Sequence, residues 1–119
     1  MSLSPKAQIA HDLSIFSEDG SKFSMTVNGR DVTDGFVKNI ELKDIQEDYV
    51  KVLINFEDTG IPPLSRTVYL AKAGTGEKPP MTSVYVLKTN KKGEWKLRLE
   101  STSEKKIQQD QQIIINLNK

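Results

Sequence analysis

The sequence predicts an all-β fold: a single β-sandwich, immunoglobulin-like or similar, of about seven to eight mostly antiparallel strands. Three observations predict it. Two three-residue hairpin signals are each flanked by segments whose apolar residues alternate. Eight short strand-like segments follow one another with turn residues between them. The 119 residues suffice for one domain with one core.

The first two strands are expected at 12–17 and 22–28, joined by Ser17-Glu18-Asp19-Gly20-Ser21. With Gly20 in the left-handed position this reads as a hairpin in which Ile15 opposes Phe23 and Leu13 opposes Met25. Asn28-Gly29 is a tight-turn signal, so Arg30-Asp31-Val32 is expected to make a brief return strand before Asp34-Gly35 turns the chain again. A third strand is expected at about 36–42, and Leu42 to Asp48 reads as a connector with room for a helical turn.

The fourth strand, 49–57, has the clearest alternation. Val50, Val52, Ile54 and Phe56 point one way and Tyr49, Lys51, Leu53 and Asn55 the other, which predicts a central strand. Pro62-Pro63 and Pro79-Pro80 bar a regular ladder and bracket a fifth strand at 65–71. Between them Ala73 to Lys78 is small and polar, a mobile tip.

The sixth and seventh strands, 82–89 and 94–101, are joined by Asn90-Lys91-Lys92-Gly93. A type I turn opened by Asn90 and closed by left-handed Gly93 sets the register, with Asn90 facing Glu94. Tyr85, Leu87 and Thr89 then share the core face with Leu99, Leu97 and Trp95, while Val84, Val86 and Lys88 meet Glu100, Arg98 and Lys96 outside. After a polar, Gln-rich stretch from Ser101 to Gln112, with Ile107 as an anchor if it is helical, the run Ile113-Ile114-Ile115 predicts a last strand at 112–118.

The composition, 36% apolar and 28% charged, is that of a soluble globular protein, and no stretch has the apolar length of a membrane span. No cysteine is present, which excludes disulfides and thiolate chemistry. Residues 1–60 carry 6 basic and 11 acidic side chains and residues 61–119 carry 11 and 5. If strands from the two halves interleave, these charges mix over one surface; if not, head-to-tail contacts become possible. Residues 1–11 read as a short leader and disordered N-terminus ahead of a domain at 12–119, without the basic and apolar regions of a signal peptide.

Chemistry-bearing patterns are few. His11 is the sole histidine; beside the leader it is expected to be exposed and to serve no triad. Asp31, Asp34, Glu47 and Asp48 are weak calcium candidates, although no spacing here matches a calcium loop and ordinary turn chemistry accounts for them. Gly74-Thr75-Gly76 lacks the Gly-Lys-Ser/Thr of a phosphate loop. Lys88, Lys91, Lys92, Lys96 and Arg98 lie near Tyr85 and Trp95, but the register puts charges and rings on opposite faces, which argues against nucleic acid. No cofactor is implied.

Segments Leu13 to Gly20 with Phe23, Val27-Asn28-Gly29, Tyr49 to Val52, Ile54 to Asp58, Tyr85 to Lys88 and Asn90 to Trp95 resemble an uncharacterised exported β-sandwich domain common in envelope proteins of Bacteroidetes-type bacteria. The resemblance spans residues 12 to 100 and rests on turn and strand patterns, so it implies fold and export and carries over no site residue. Its implied setting is the periplasm or cell surface, with a signal peptide already removed and lipid anchoring left open. The expected function is a non-enzymatic interaction or spacer module binding protein or glycan. The alternative is a calcium- or small-ligand-binding protein, or a hydrolase-associated domain, using acidic loops. Val84, Val86, Lys88, Lys96 and Arg98 form the expected partner surface, where apolar and basic groups adjoin.

Overall fold

The computed structural model describes residues 10–71 and 79–104. The expected tip at 73–78, most of the Gln-rich stretch, the strand at 112–118 and nearly all of the leader lie outside these residues.

Eight strands form two four-stranded sheets: β1 (His11–Ser17), β2 (Phe23–Val27), β3 (Arg30–Asp31), β4 (Asn39–Ile45), β5 (Tyr49–Phe56), β6 (Leu64–Tyr69), β7 (Met81–Thr89) and β8 (Trp95–Glu104). Sheet A has the order β4-β1-β7-β8 and sheet B the order β3-β2-β5-β6. The protein is therefore a β-sandwich, as the alternating strands predict. The described residues contain no helix, and so none long and apolar enough to cross a membrane.

Alternation along each strand sends one row of side chains inward. Leu13, Ile15, Leu87 and Leu97 from sheet A meet Phe23, Met25, Val50, Val52, Ile54 and Val68 from sheet B, all at most 1% exposed. Strand β5 is central, between β2 and β6, and buries Val50, Val52, Ile54 and Phe56 as expected. The two halves of the chain do interleave: in sheet A, β1 and β4 sit beside β7 and β8.

The first hairpin is not a hairpin. The turn is real: Gly20 has φ 84°, and Asp19 Oδ1 accepts hydrogen bonds from the Ser21 N–H at 2.9 Å and the Ser17 hydroxyl at 3.1 Å. It carries the chain from one sheet to the other instead of pairing β1 with β2. Strand β1 pairs antiparallel with β4 and parallel with β7, whereas β2 pairs with β3 and β5. Leu13 and Ile15 thus reach Phe23 and Met25 across the core, not along a ladder. Alternation says which side chains face inward; it does not distinguish a neighbour in the sheet from one in the facing sheet.

One further boundary moves, and one turn stands as expected. Leu42 to Ile45 is strand rather than connector, carried past a bulge in which Asp44 takes φ 59° and its N–H donates to Asp12 Oδ1 at 3.2 Å. Asn28-Gly29 forms the expected two-residue turn, both residues at positive φ, between β2 and the brief return strand β3.

His11 is the clearest departure. It opens β1 and is fully buried. Its Nδ1 accepts the Met81 N–H at 3.1 Å, so in the neutral ring the proton sits on Nε2, which lies 3.6 Å from Asp48 Oδ1. The histidine ties the start of β1 to the start of β7 through the Met81 hydrogen bond, while its Nε2 is buried near Asp48 without a hydrogen-bond partner among the described residues.

Candidate interaction surface

The β7–β8 hairpin follows from its turn. Asn90 Oδ1 accepts the N–H groups of Lys92 at 2.8 Å and Glu94 at 3.0 Å, and its amide donates to Glu94 Oε1 at 3.0 Å. Gly93 closes the turn at φ 82°, where a side chain would be strained. The resulting register pairs Thr89 with Trp95, Lys88 with Lys96, Leu87 with Leu97, Val86 with Arg98 and Tyr85 with Leu99, all as the turn chemistry predicts.

Beyond Tyr85 the prediction fails. Val84 opposes Ser101, not Glu100, because the register shifts by one residue there. Glu100 is the extra residue of the bulge, and no Gly marks it in the sequence.

The inner face carries Tyr85, Leu87 and Leu97 in the core, with Trp95 partly buried against Phe56 at a ring-centroid distance of 4.9 Å. Leu99, expected inside, is 52% exposed. Strand β8 is the sheet's edge among the described residues, and the facing edge strand β6 closes the sandwich with Arg66. The Arg66 guanidinium lies 5.9 Å from the Tyr85 ring centroid and donates to the Leu97 carbonyl.

On the outer face, register aligns Phe16 of β1, Val86 of β7 and Arg98 of β8 in one row across three strands. Next to it stand Lys88 and Lys96, directly opposite one another. Like charges so placed repel unless partnered. Lys88 is 3.7 Å from Glu18 Oε2, an ion pair supplied by the turn after β1. Lys96 and Arg98 are exposed, and no ion pair to either is found among the described residues. Val86, Lys88, Thr89, Asn90, Lys96, Arg98, Leu99 and Glu100 border a shallow depression of about 240 Å³, so one carboxylate stands among the three basic side chains.

The structure thus brings Val86, Lys88, Lys96 and Arg98 together but changes the part each can play. Val86 is only 3% exposed, so it is floor and not contact surface. Val84 is half-buried and does not border the depression. The polar rim left around this floor is Lys88, Lys96 and Arg98 with Asn90 and the Glu100 carboxylate. Asn90 was legible as a turn residue and not as part of the surface. Tyr85 and Trp95 do fall on the opposite side of the hairpin from these charges.

Among the described residues no three His, Asp or Glu side chains are grouped so as to hold a metal ion. Asp31, Asp34, Glu47 and Asp48 therefore do not converge as a ligand set. Comparison with protein-family models, curated proteins and solved structures finds nothing that matches this chain.

Proposed function

We propose that the protein is a non-enzymatic interaction module that docks an acidic patch of a partner protein on the outer face of β7 and β8. The observation that carries this reading is the facing pair Lys88 and Lys96 beside Arg98, a like-charge cluster of which only Lys88 has an ion pair within the described residues, although the Glu100 carboxylate borders the same depression. Such a cluster costs stability in the free protein and is relieved by an opposing negative surface.

An exported setting, in the periplasm or at the cell surface, belongs to the same proposal. It is supported by the resemblance of the turn and strand segments to envelope β-domains.

The test is affinity capture with the tagged protein from its own organism's envelope fraction, repeated with Lys96→Glu and Arg98→Glu together. Both side chains are exposed, so the double reversal leaves the fold intact. A specific partner retained by the wild type and lost from the double variant supports the reading; capture unchanged by the reversal contradicts it.

A further inference from the structure

The solvent face of sheet B holds a second arrangement, independent of the basic rim. Tyr49 and Tyr69 are register partners on β5 and β6, with ring centroids 5.7 Å apart and planes inclined by 41°. They are 53% and 68% exposed, among the largest apolar exposures in the described residues. Beside Tyr49 lies a depression of about 640 Å³ lined by Asn28, Gly29, Glu47, Asp48 and Lys51. Its volume is in the range of small-ligand sites, roughly 300–1,000 Å³.

The position is held by backbone. The Asp48 carbonyl accepts the N–H groups of Leu70 at 2.7 Å and Ala71 at 3.2 Å, which ties the end of β6 to the start of β5 and sets the two rings side by side. Across the depression, the Asn28 N–H donates to the Lys51 carbonyl at 2.8 Å and Asn28 Oδ1 accepts the Lys51 N–H at 2.9 Å. With Oδ1 so engaged, the NH2 end of the amide is the part left to meet a ligand. Asp48 also lies over buried His11, 3.6 Å from its Nε2.

We infer that this face binds a neutral glycan, with pyranose rings laid on Tyr49 and Tyr69 and hydroxyls meeting Asn28, Lys51, Glu47 and Asp48. A sugar ring presents a flat C–H face edged by hydroxyls, and the site presents exposed aromatic faces edged by an amide, an ammonium and carboxylates. The charges decide the class. Lys51 stands against Glu47 and Asp48, so the rim has no single-sign field to hold a polyanion or polycation, and its mixed donors and acceptors suit an uncharged polyol. A second copy of the chain fits less well, because the outward pair next to the tyrosines is Lys51 and Thr67, and the pair beyond it, Leu53 and Ser65, adds only one exposed apolar side chain, short of the apolar centre of a dimer interface.

The experiment is affinity electrophoresis of the full chain in gels containing soluble mixed-linkage β-glucan, xyloglucan, galactomannan or glycogen, with heparin as the charged control. Retardation is expected in at least one neutral polysaccharide, with binding about five- to tenfold weaker for Tyr49→Ala and for Tyr69→Ala. Tyr49→Phe and Tyr69→Phe, which keep the rings, retain most of it, and Lys96→Glu with Arg98→Glu leaves it unchanged. Melting midpoints of all variants separate lost binding from lost folding; where an alanine variant melts early, the ring-keeping variant and its binding decide. Retardation in none of the four neutral gels, retardation indifferent to the tyrosine variants, retardation by heparin alone, or tyrosine-dependent self-association in place of sugar binding would each overturn the inference.

Discussion

Strands β1 and β2 are consecutive and both alternate, yet they lie in different sheets, and paired cysteines test this directly. The chain has no cysteine of its own, so an engineered pair has no competitor. Ser14 and Glu41 are antiparallel partners on the outer face of sheet A. Paired residues have Cα atoms about 4.5–5.5 Å apart, inside the disulfide range of about 4.4–6.8 Å. A Ser14→Cys, Glu41→Cys bridge closes a loop of roughly 28 residues, which by the chain-entropy relation stabilises by about 3 to 4 kcal/mol. In a β1–β2 hairpin with Ile15 opposite Phe23, Ser14 would instead oppose Ser24. In the sandwich those two positions lie on opposite outer faces of sheets about 10 Å apart, beyond bridging. Thiol titration after mild oxidation, followed by urea unfolding with and without reductant, reads both variants. The account requires the Ser14–Glu41 pair to close and raise the midpoint, and the Ser14→Cys, Ser24→Cys pair to keep two free thiols. A Ser14–Ser24 bridge formed in folded, monomeric protein would refute the topology.

Three smaller outcomes follow from named contacts. His11→Phe removes the acceptor of the Met81 N–H in a fully buried site, so chemical denaturation should show a loss of about 1–3 kcal/mol; an unchanged midpoint would mean that the hydrogen bond contributes nothing. Gly93→Ala meets no atom within 4 Å, so its cost is the left-handed backbone alone, about 1–2 kcal/mol by the same assay. The Asp19 carboxyl is held below its ordinary value of 3.8, chiefly by the hydrogen bond from the Ser21 N–H. Its folded-state pKa being lowered, its contribution is present above the unfolded pKa and is lost as pH falls through the folded one. Stability of the wild type should therefore decline below about pH 4 more than that of Asp19→Asn, a small difference for so exposed a group.

Much of this fold is legible from local chemistry. The β7–β8 register follows from Asn90-Lys91-Lys92-Gly93, four residues that specify their own turn, and the facing of β5 follows from strict alternation between Tyr49 and Phe56. What depends on distant partners is not legible. The parallel pairing of β1 with β7 joins residues some seventy positions apart and leaves no turn signature. His11 is buried because Met81 and Asp48 close around it, and nothing adjacent in sequence says so. The bulge at Glu100 carries no glycine, so alternation runs straight through it on paper.

The interaction surface shows the same division. Lys88, Lys96 and Arg98 could be placed on one face from the turn alone. The burial of Val86 depends on β1 lying alongside, with Phe16 as its register neighbour. Tyr49 reads as outward-facing from its own strand, whereas its partnership with Tyr69 requires the β5–β6 register that the structure supplies. Single-strand periodicity thus gives the orientation of a side chain, and sheet order gives its company.

The most direct test of the docking surface is site-specific photo-crosslinking, with a photoreactive residue placed at Lys96 and, as control, at Ser65 on the outer face of sheet B, each irradiated in the organism's envelope extract. The account predicts a covalent adduct to one protein from position 96 and none from position 65. Equal crosslinking from both positions, or from position 65 alone, would contradict it.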